Sequence, residues 1–237
     1  MTTTFWTDSN ATLYPNRFYR VSSANAAGAN HSATILGKVA YGLQRNAAGT
    51  GSNWIGLPVN SSSLVKALDV INETGAGVPN STMITRKNAT TQVYVQCSGY
   101  DCPDQPFCTL GTTESCNFNL VPFEGYEVDT NVSSPSLVSW AIVGPVFERR
   151  NVTLVANTSD TGFKLNWISI WANTSLTNAK ALINNISTAD AVTKWNETTQ
   201  TSEGYIQFRG GRGRNFLINI YRGYEVSVNA TVNWTQG

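Results

Sequence analysis

The feature that most constrains this chain is a ten-residue pattern written three times. Leu120 to Asp129 reads LVPFEGYEVD, Ile218 to Ser227 reads INIYRGYEVS, and Leu13 to Ser22 reads LYPNRFYRVS. Each copy predicts a hairpin: an apolar strand, a turn, and a second strand whose alternate residues, such as Tyr126 and Val128, share one face. In the leading copy Leu13, Pro15, Tyr19 and Val21 stand 107 positions before Leu120, Pro122, Tyr126 and Val128. A period of about 100 residues is that of an ordinary small domain able to bury its own core. A chain of 237 residues therefore holds two such modules and a remainder.

The register extends beyond the pattern. Tyr19 to Ile35 and Tyr126 to Ile142 both span 16 residues, which makes ILGKV (from Ile35) and IVGPV (from Ile142) equivalent lead-in strands. Tryptophan strands follow, NWIGLPVN from Asn53 and NWISIWAN from Asn166. Next, Ala67, Val70 and Ile71 match Ala179, Leu182 and Ile183 at i, i+3, i+4 spacing, which predicts one short helix per module with Ser or Thr ahead of it as N-cap. ITRKNATTQVYVQ (from Ile84) and VTKWNETTQTSEGYIQF (from Val192) alternate and are rich in Thr, Val and Tyr, so each reads as two strands joined by a tight turn. Trp140 and Trp234 close the modules.

The expected fold is mainly β: two tandem β-sandwich-like modules, 33–140 and 141–237, each with one short helix, preceded by a partial-module β-hairpin arm at 1–32. An isolated hairpin is marginal in water and exposes unpaired edges. Three readings of the arm follow: an extra hairpin on module one, a strand donated to a neighbouring subunit, or the remnant of a longer periodic chain. The second makes Leu13, Tyr19 and Val21 an assembly hairpin.

The order NW-I-[GS]-[LI], S/T-L-x(3)-A, W-N-x-T-T-Q and G-Y-E-V, closing on Trp, resembles the tandem modules of about 100 residues found in large secreted prokaryotic cell-surface proteins. Asn166-Trp167-Ile168-Ser169, Trp195-Asn196 with Gln200, and Gly223-Tyr224 carry the likeness in module two; Trp54-Ile55, Leu57-Pro58, Gln92 and Gly125-Tyr126 carry it in module one. Lys87 replaces the second landmark Trp in module one, and Phe18 replaces the turn glycine in the leading copy. The resemblance implies an extracellular structural or adhesive role and names no ligand.

Fourteen asparagines stand in N-x-S/T sequons: Asn10, Asn30, Asn60, Asn72, Asn80, Asn88, Asn131, Asn151, Asn157, Asn173, Asn185, Asn196, Asn229 and Asn233. With 25 Asn, 21 Ser and 28 Thr in the chain, chance placement gives only about 5. The excess predicts a heavily N-glycosylated, exported protein, with sugar supplying the solubility that 13% charged residues do not. Met1 is followed by TTTFW, which has neither the basic start nor the apolar core of a secretory signal, so export implies a signal already removed or left out. No apolar run approaches the roughly 18 to 20 residues of a membrane span. A net charge of +1 gives no long-range attraction to nucleic acid or an anionic membrane.

Cys97, Cys102, Cys108 and Cys116 all fall in one loop of module one, where module two has the short run RGGRGR. Spacings of four, five and seven intervening residues do not fit a zinc site. Two disulfides are expected, with Cys97–Cys116 enclosing Cys102–Cys108, because the outer pair then flanks paired strands and staples the base of the loop.

Arg209, Arg212 and Arg214 read as a solvated hairpin tip or an intersubunit contact. Glu127 and Glu225, at matched positions, read as exposed strand residues or cross-strand partners of Lys or Arg. The remaining acids are scattered and His31 is the only histidine, so no catalytic residue, metal ligand or cofactor is assigned and the chain is not read as an enzyme. Trp54, Trp140, Trp167, Trp195 and Trp234 recur in register and predict core packing, whereas Trp171 and Trp6 lack counterparts and predict surface contacts. The expected function is structural: a glycosylated subunit of a cell-surface filament or layer, polymerising head to tail with its own copies through sheet completion. The alternatives are an adhesin that binds surface glycans and a surface protein of a prokaryotic virus.

Overall fold

The computed structural model describes residues 7–10, 13–25, 27–32, 34–44, 51–71, 76–98, 117–131, 137–156 and 164–236. In chain order the first part contains β1 (Asn16–Tyr19), β2 (Ser22–Asn25), β3 (Gly28–His31), β4 (Leu36–Gln44), β5 (Gly51–Gly56), α1 (Ala67–Ile71), β6 (Ser81–Lys87), β7 (Tyr94–Ser98), β8 (Gly125–Thr130) and β9 (Leu137–Pro145). The second part contains β10 (Asn151–Leu154), β11 (Leu165–Ser169), α2 (Ala179–Asn185), β12 (Ala189–Asn196), β13 (Thr201–Ile206), β14 (Arg212–Gly213), β15 (Gly223–Val228) and β16 (Val232–Thr235).

The protein is mainly β, with sandwich-like modules and one short helix in each. Module one packs the sheet β5-β8-β6-β7 over the sheet β1-β4-β9, and β2 and β3 pair separately as a hairpin. Module two packs β11-β15-β12-β13-β14 over the pair β10-β16. Strict alternation explains the long strands. In β9 Val138, Trp140 and Ile142 are buried while Leu137, Ser139, Ala141 and Val143 are exposed, the period-two signature of a half-buried strand. The helix stripes behave as expected: Ala67, Val70 and Ile71, and Ala179, Leu182 and Ile183, all enter the cores. The cap of α2 is Asn178, whose side chain accepts from the N–H of Ala181 at 2.9 Å, rather than a Ser or Thr.

Two matched devices hold each module. A buried amide ties one sheet to the other. Asn53 accepts from Gln44 N and donates to Gln44 O, at 2.7 and 2.9 Å, and Asn166 does the same with Val155, at 2.8 and 3.2 Å. Fully paired, such an amide escapes the penalty of a buried orphan polar group. The tyrosine of the repeated pattern turns back on its own loop. Tyr126 Oη accepts from Val121 N and Tyr224 Oη from Asn219 N, both at 2.6 Å, and Phe118 and Phe216 stack on the two rings at 6.1 Å. Burial pushes both phenols far above their ordinary pKa, so each stays neutral and keeps a proton to donate, Tyr224 to Asn219 O at 3.2 Å and Tyr126 to Glu124 Oε2 at 3.0 Å or Val121 O at 3.3 Å.

Three expectations change. The repeated pattern is not a hairpin: only Gly125–Thr130 and Gly223–Val228 are strands, each central in its sheet, and the apolar half runs beside the segment leading into the helix. Thus Leu120 N donates to Val65 O and Ile218 N to Thr177 O. The leading copy takes a different place, because β1 adds to the edge of β4 and leaves Leu13 and Val21 71% and 72% exposed. Its Tyr19 hydroxyl donates to Asp8 at 2.6 Å instead of closing a loop. Finally, β9 runs unbroken through the 140/141 junction, and Ile142 lies in the first core. ILGKV and IVGPV are not equivalents in separate modules but neighbours in one sheet, with Leu36 opposite Pro145 and Val39 opposite Ile142. By role, β10 is the counterpart of β4: Tyr41 pairs with the closing Trp140, and Val152 with Trp234.

Candidate functional site

The largest concentration of matched residues is the seam between the modules. It starts in the Asn-x-Thr-Thr-Gln turns. Asn88 Oδ1 accepts from the N–H groups of Thr90 and Thr91 at 2.9 and 3.1 Å, and Asn196 Oδ1 from Thr198 and Thr199 at 3.1 and 3.2 Å. Such Asx turns favour the tight reversal that follows. Gln92 and Gln200 then sit in the left-handed region, at φ 61° and 53°, which aims each side chain out of its own module.

Each glutamine closes the open sheet edge of the other module. Gln92 Oε1 accepts from Leu165 N at 2.9 Å while its Nε2 donates to Leu165 O at 3.2 Å; Gln200 makes the same two bonds to Ser52, at 2.9 and 3.2 Å. Both Nε2 groups also donate within their own turns, to Ala89 O at 2.7 Å and Glu197 O at 2.6 Å. A side-chain amide thus occupies the place of a neighbouring strand's peptide group on the outer edges of β5 and β11. Unpaired edges invite foreign strands, and these two are closed from across the seam.

The reciprocity continues along both strands. Gly56 N donates to Tyr221 O at 3.0 Å, and its counterpart Ser169 N donates to Phe123 O at 2.8 Å. Ile55 bridges to Arg222 as Ile168 bridges to Glu124. The glycines of the two GYEV strands explain themselves here: a Cβ on Gly125 would stand 2.7 Å from Ile168 O, and one on Gly223 2.9 Å from Ile55 O. Contacts that exchange roles in this way define an isologous interface, related by a pseudo-two-fold axis.

The landmark tryptophans belong to the seam rather than to the module cores. Trp54 lies 5.2 Å from Trp167 and stacks on Trp195 at 5.8 Å, and Tyr94 meets Trp167 at 5.5 Å. Trp54 therefore packs against two rings of module two. Trp140 and Trp234 do join the cores, with their indole N–H groups donating to Ala76 O and Asn185 Oδ1. Trp171 is half-buried beside the linker, donating to Phe147 O at 2.9 Å, in a cleft of about 370 Å³ that Ile35, Asn60 and Arg150 also line. Trp6 lies outside the described residues.

The matched acids are only half-exposed. Lys87, which replaces a landmark Trp, is buried and stands 3.9 Å from Glu225 across the seam, while Trp167 Nε1 donates to Glu225 at 2.9 Å. Burial lowers the Lys87 pKa and Glu225 opposes that shift. In module one Ser52 Oγ lies 2.5 Å from Glu127 Oε1 and 2.8 Å from Asp129 Oδ1. A serine hydroxyl has one proton to donate, so satisfying both contacts requires a proton on one carboxyl. Burial raises both carboxyl pKa values, in keeping with that geometry.

Of the twelve sequon asparagines among the described residues, ten are exposed: Asn10, Asn30, Asn60, Asn80, Asn131, Asn151, Asn173, Asn185, Asn229 and Asn233. Asn88 and Asn196, in the seam turns, are half-buried, and Asn72 and Asn157 lie outside the described residues. Cys97 is buried and is not a free thiol, while Cys102, Cys108 and Cys116 lie outside the described residues. Arg209, Arg212 and Arg214 are exposed; the first two cover Phe208 and the third donates to Glu203 at 2.7 Å. His31 is exposed on β3, and no metal-holding cluster of His, Cys, Asp and Glu occurs among the described residues. No helix among them is long and apolar enough to cross a membrane. Comparison with known proteins finds no matching family model, curated protein or solved structure.

Proposed function

We propose that the chain is a heavily N-glycosylated extracellular structural subunit of a cell-surface filament or layer, assembling with its own copies by sheet completion. The observation that carries this reading is the sorting of its asparagines. No described sequon asparagine is buried, whereas the two buried asparagines among the described residues, Asn53 and Asn166, belong to no sequon. Every exposed sequon asparagine among the described residues is thus placed where an attached sugar reaches solvent without breaking the core. Disulfides in the 97–116 loop fit the same oxidising compartment. The arm supports the assembly half: β1 adds to a sheet edge while Leu13, Phe18 and Val21 remain exposed, as a strand with further pairing to make would leave them. An open sugar-stacking platform has less support, because Trp54 packs against the indoles of both Trp167 and Trp195.

The test is twofold, on material purified from its native source. Glycopeptide mapping is expected to find sugar at the ten exposed sites and none at Asn88 or Asn196. There the Asx turn holds the amide, and Asn196 Nδ2, the attachment atom, donates to Glu203 at 2.7 Å. An unmodified intact mass sinks the extracellular reading. Deleting residues 1–32 is expected to abolish polymers seen by electron microscopy while leaving folded modules, and polymers that persist rule out the arm.

A further inference from the structure

The seam is reciprocal, yet its halves are not identical, and two of the differences bear directly on which modules can pair. The first is where the edge strands touch. Gly56 faces Ser169, and a Cβ on Gly56 would stand 2.5 Å from Ser169 Cβ and 2.8 Å from Arg222 O. Real Cβ atoms do not approach that closely, so one of the two strands must carry glycine here. The second is the site of the missing landmark Trp. Lys87 meets Glu225 across the seam, and at its counterpart Trp195 stacks on Trp54.

These differences decide which modules fit together. Two modules of the second kind would set Ser169 against Ser169, with the 2.5 Å Cβ overlap, and would leave each Glu225 without Lys87. A Cβ is fixed to its backbone, so this overlap is not relieved by a rotamer change. A first module against a second avoids the overlap and gains the ion pair and the indole stack. We propose that the seam is a pairing code: a module of the first kind accepts one of the second kind, in its own chain or in a second copy, and modules of the second kind reject each other. Gly56 and Ser169 set the discrimination, and Gln92 and Gln200 supply the affinity common to any pairing. This inference stands on the seam alone and does not depend on the filament reading.

The full chain carrying a protease site inserted between the exposed Glu148 and Arg149 provides the test. After folding, it is cleaved, unfolded in urea with its disulfides intact, refolded by dilution, and weighed by native mass spectrometry. Each kind of pair has its own mass. Pairs of first with second halves are expected to exceed dimers of the second half by more than about fivefold, the ratio set by the lower end of overpacking costs. Ser169→Gly removes the overlapping Cβ and is expected to make second-half dimers appear, with circular dichroism reporting that the half is folded. Gly56→Ser is expected to separate the nicked halves. Second-half dimers as abundant as mixed pairs in the unsubstituted protein, or a folded Ser169→Gly half that stays monomeric, overturn the proposal. So does a Gly56→Ser chain whose halves stay together.

Discussion

Replacing Gln200 by alanine removes three hydrogen bonds at once: from Ser52 N at 2.9 Å, to Ser52 O at 3.2 Å and to Glu197 O at 2.6 Å. A net hydrogen bond is worth about 1 kcal/mol, so the loss is about 3 kcal/mol if nothing replaces them. The figure can fall, because Ser52 and Gln200 are half-buried and water can reach part of the vacated edge. It can hardly fall below about 1.5 kcal/mol, since the Ser52 N–H and C=O stay flanked by module two. The left-handed backbone at residue 200 adds little, because alanine and glutamine are disfavoured there alike.

Gln92→Ala is the internal control. It loses the matching trio, from Leu165 N at 2.9 Å, to Leu165 O at 3.2 Å and to Ala89 O at 2.7 Å. Urea unfolding at 25 °C is therefore expected to give two losses of about 1.5–3 kcal/mol that agree within about 1 kcal/mol. The two sites contact different strands, so the double substitution is expected to be additive within about 0.5 kcal/mol. Losses under about 0.5 kcal/mol for both would mean that the amides merely fill a gap that water fills equally well. A large loss for one alone would refute the pseudo-symmetric account of the seam.

Two further predictions rest on buried polar groups. Burial raises the Glu127 and Asp129 pKa values above those of the unfolded chain, so the folded state holds their protons more tightly. Their contribution is fully present below the unfolded carboxylate values near about 4 and is lost as pH rises through the folded values. The melting temperature should thus rise on mild acidification from neutral pH, and Glu127→Gln should raise it at pH 7 while flattening the slope; a slope unchanged by the substitution disproves the assignment. Tyr126→Phe and Tyr224→Phe each leave a backbone N–H without its phenol acceptor, at residues 121 and 219. Calorimetry should find each destabilised by about 1–3 kcal/mol, with the larger cost at Tyr126, whose hydroxyl also donates to Glu124 at 3.0 Å.

Much of the module is legible because its signals are local. The helix stripes, the buried tryptophans Trp140 and Trp234, and the strand pairs around the NATTQ and NETTQ turns all follow from periodicity over a few residues. The seam is not local. Gln200 meets a residue 148 positions away, and a glutamine after two threonines reads only as the end of a turn. One signal was present: the same glutamine recurs in both turns, although a turn needs no particular residue there. The recurrence of Trp54, Trp167 and Trp195 misleads for a related reason, since a ring desolvated by a second module and a ring desolvated by its own core leave the same trace. The 140/141 junction fails on a different point. Matching ILGKV to IVGPV detects real similarity, but similarity does not say whether two copies serve separate sheets or pair with each other, and here they pair.

That pairing bears on how copies of the chain meet. An isologous seam is closed: once module two covers β5 and module one covers β11, neither edge is open to another subunit. Growth by sheet completion must therefore use an edge that no glutamine covers. The sheet β1-β4-β9 presents two unlike edges among the described residues, the short β1 on one side and the nine-residue β9 on the other. LVSWAIVGP in β9 carries no charge and exposes Leu137 and Val143 at 50% and 62%, so short of its end, where Asn60 N donates to Pro145 O at 2.7 Å, it lacks the usual protection of an edge strand. Pairing of β1 of one copy with β9 of the next would join copies head to tail rather than in closed pairs, which is the geometry that an open polymer requires. The seam joins the modules within the chain, and in the filament proposed above this sheet is the surface that would join one chain to the next.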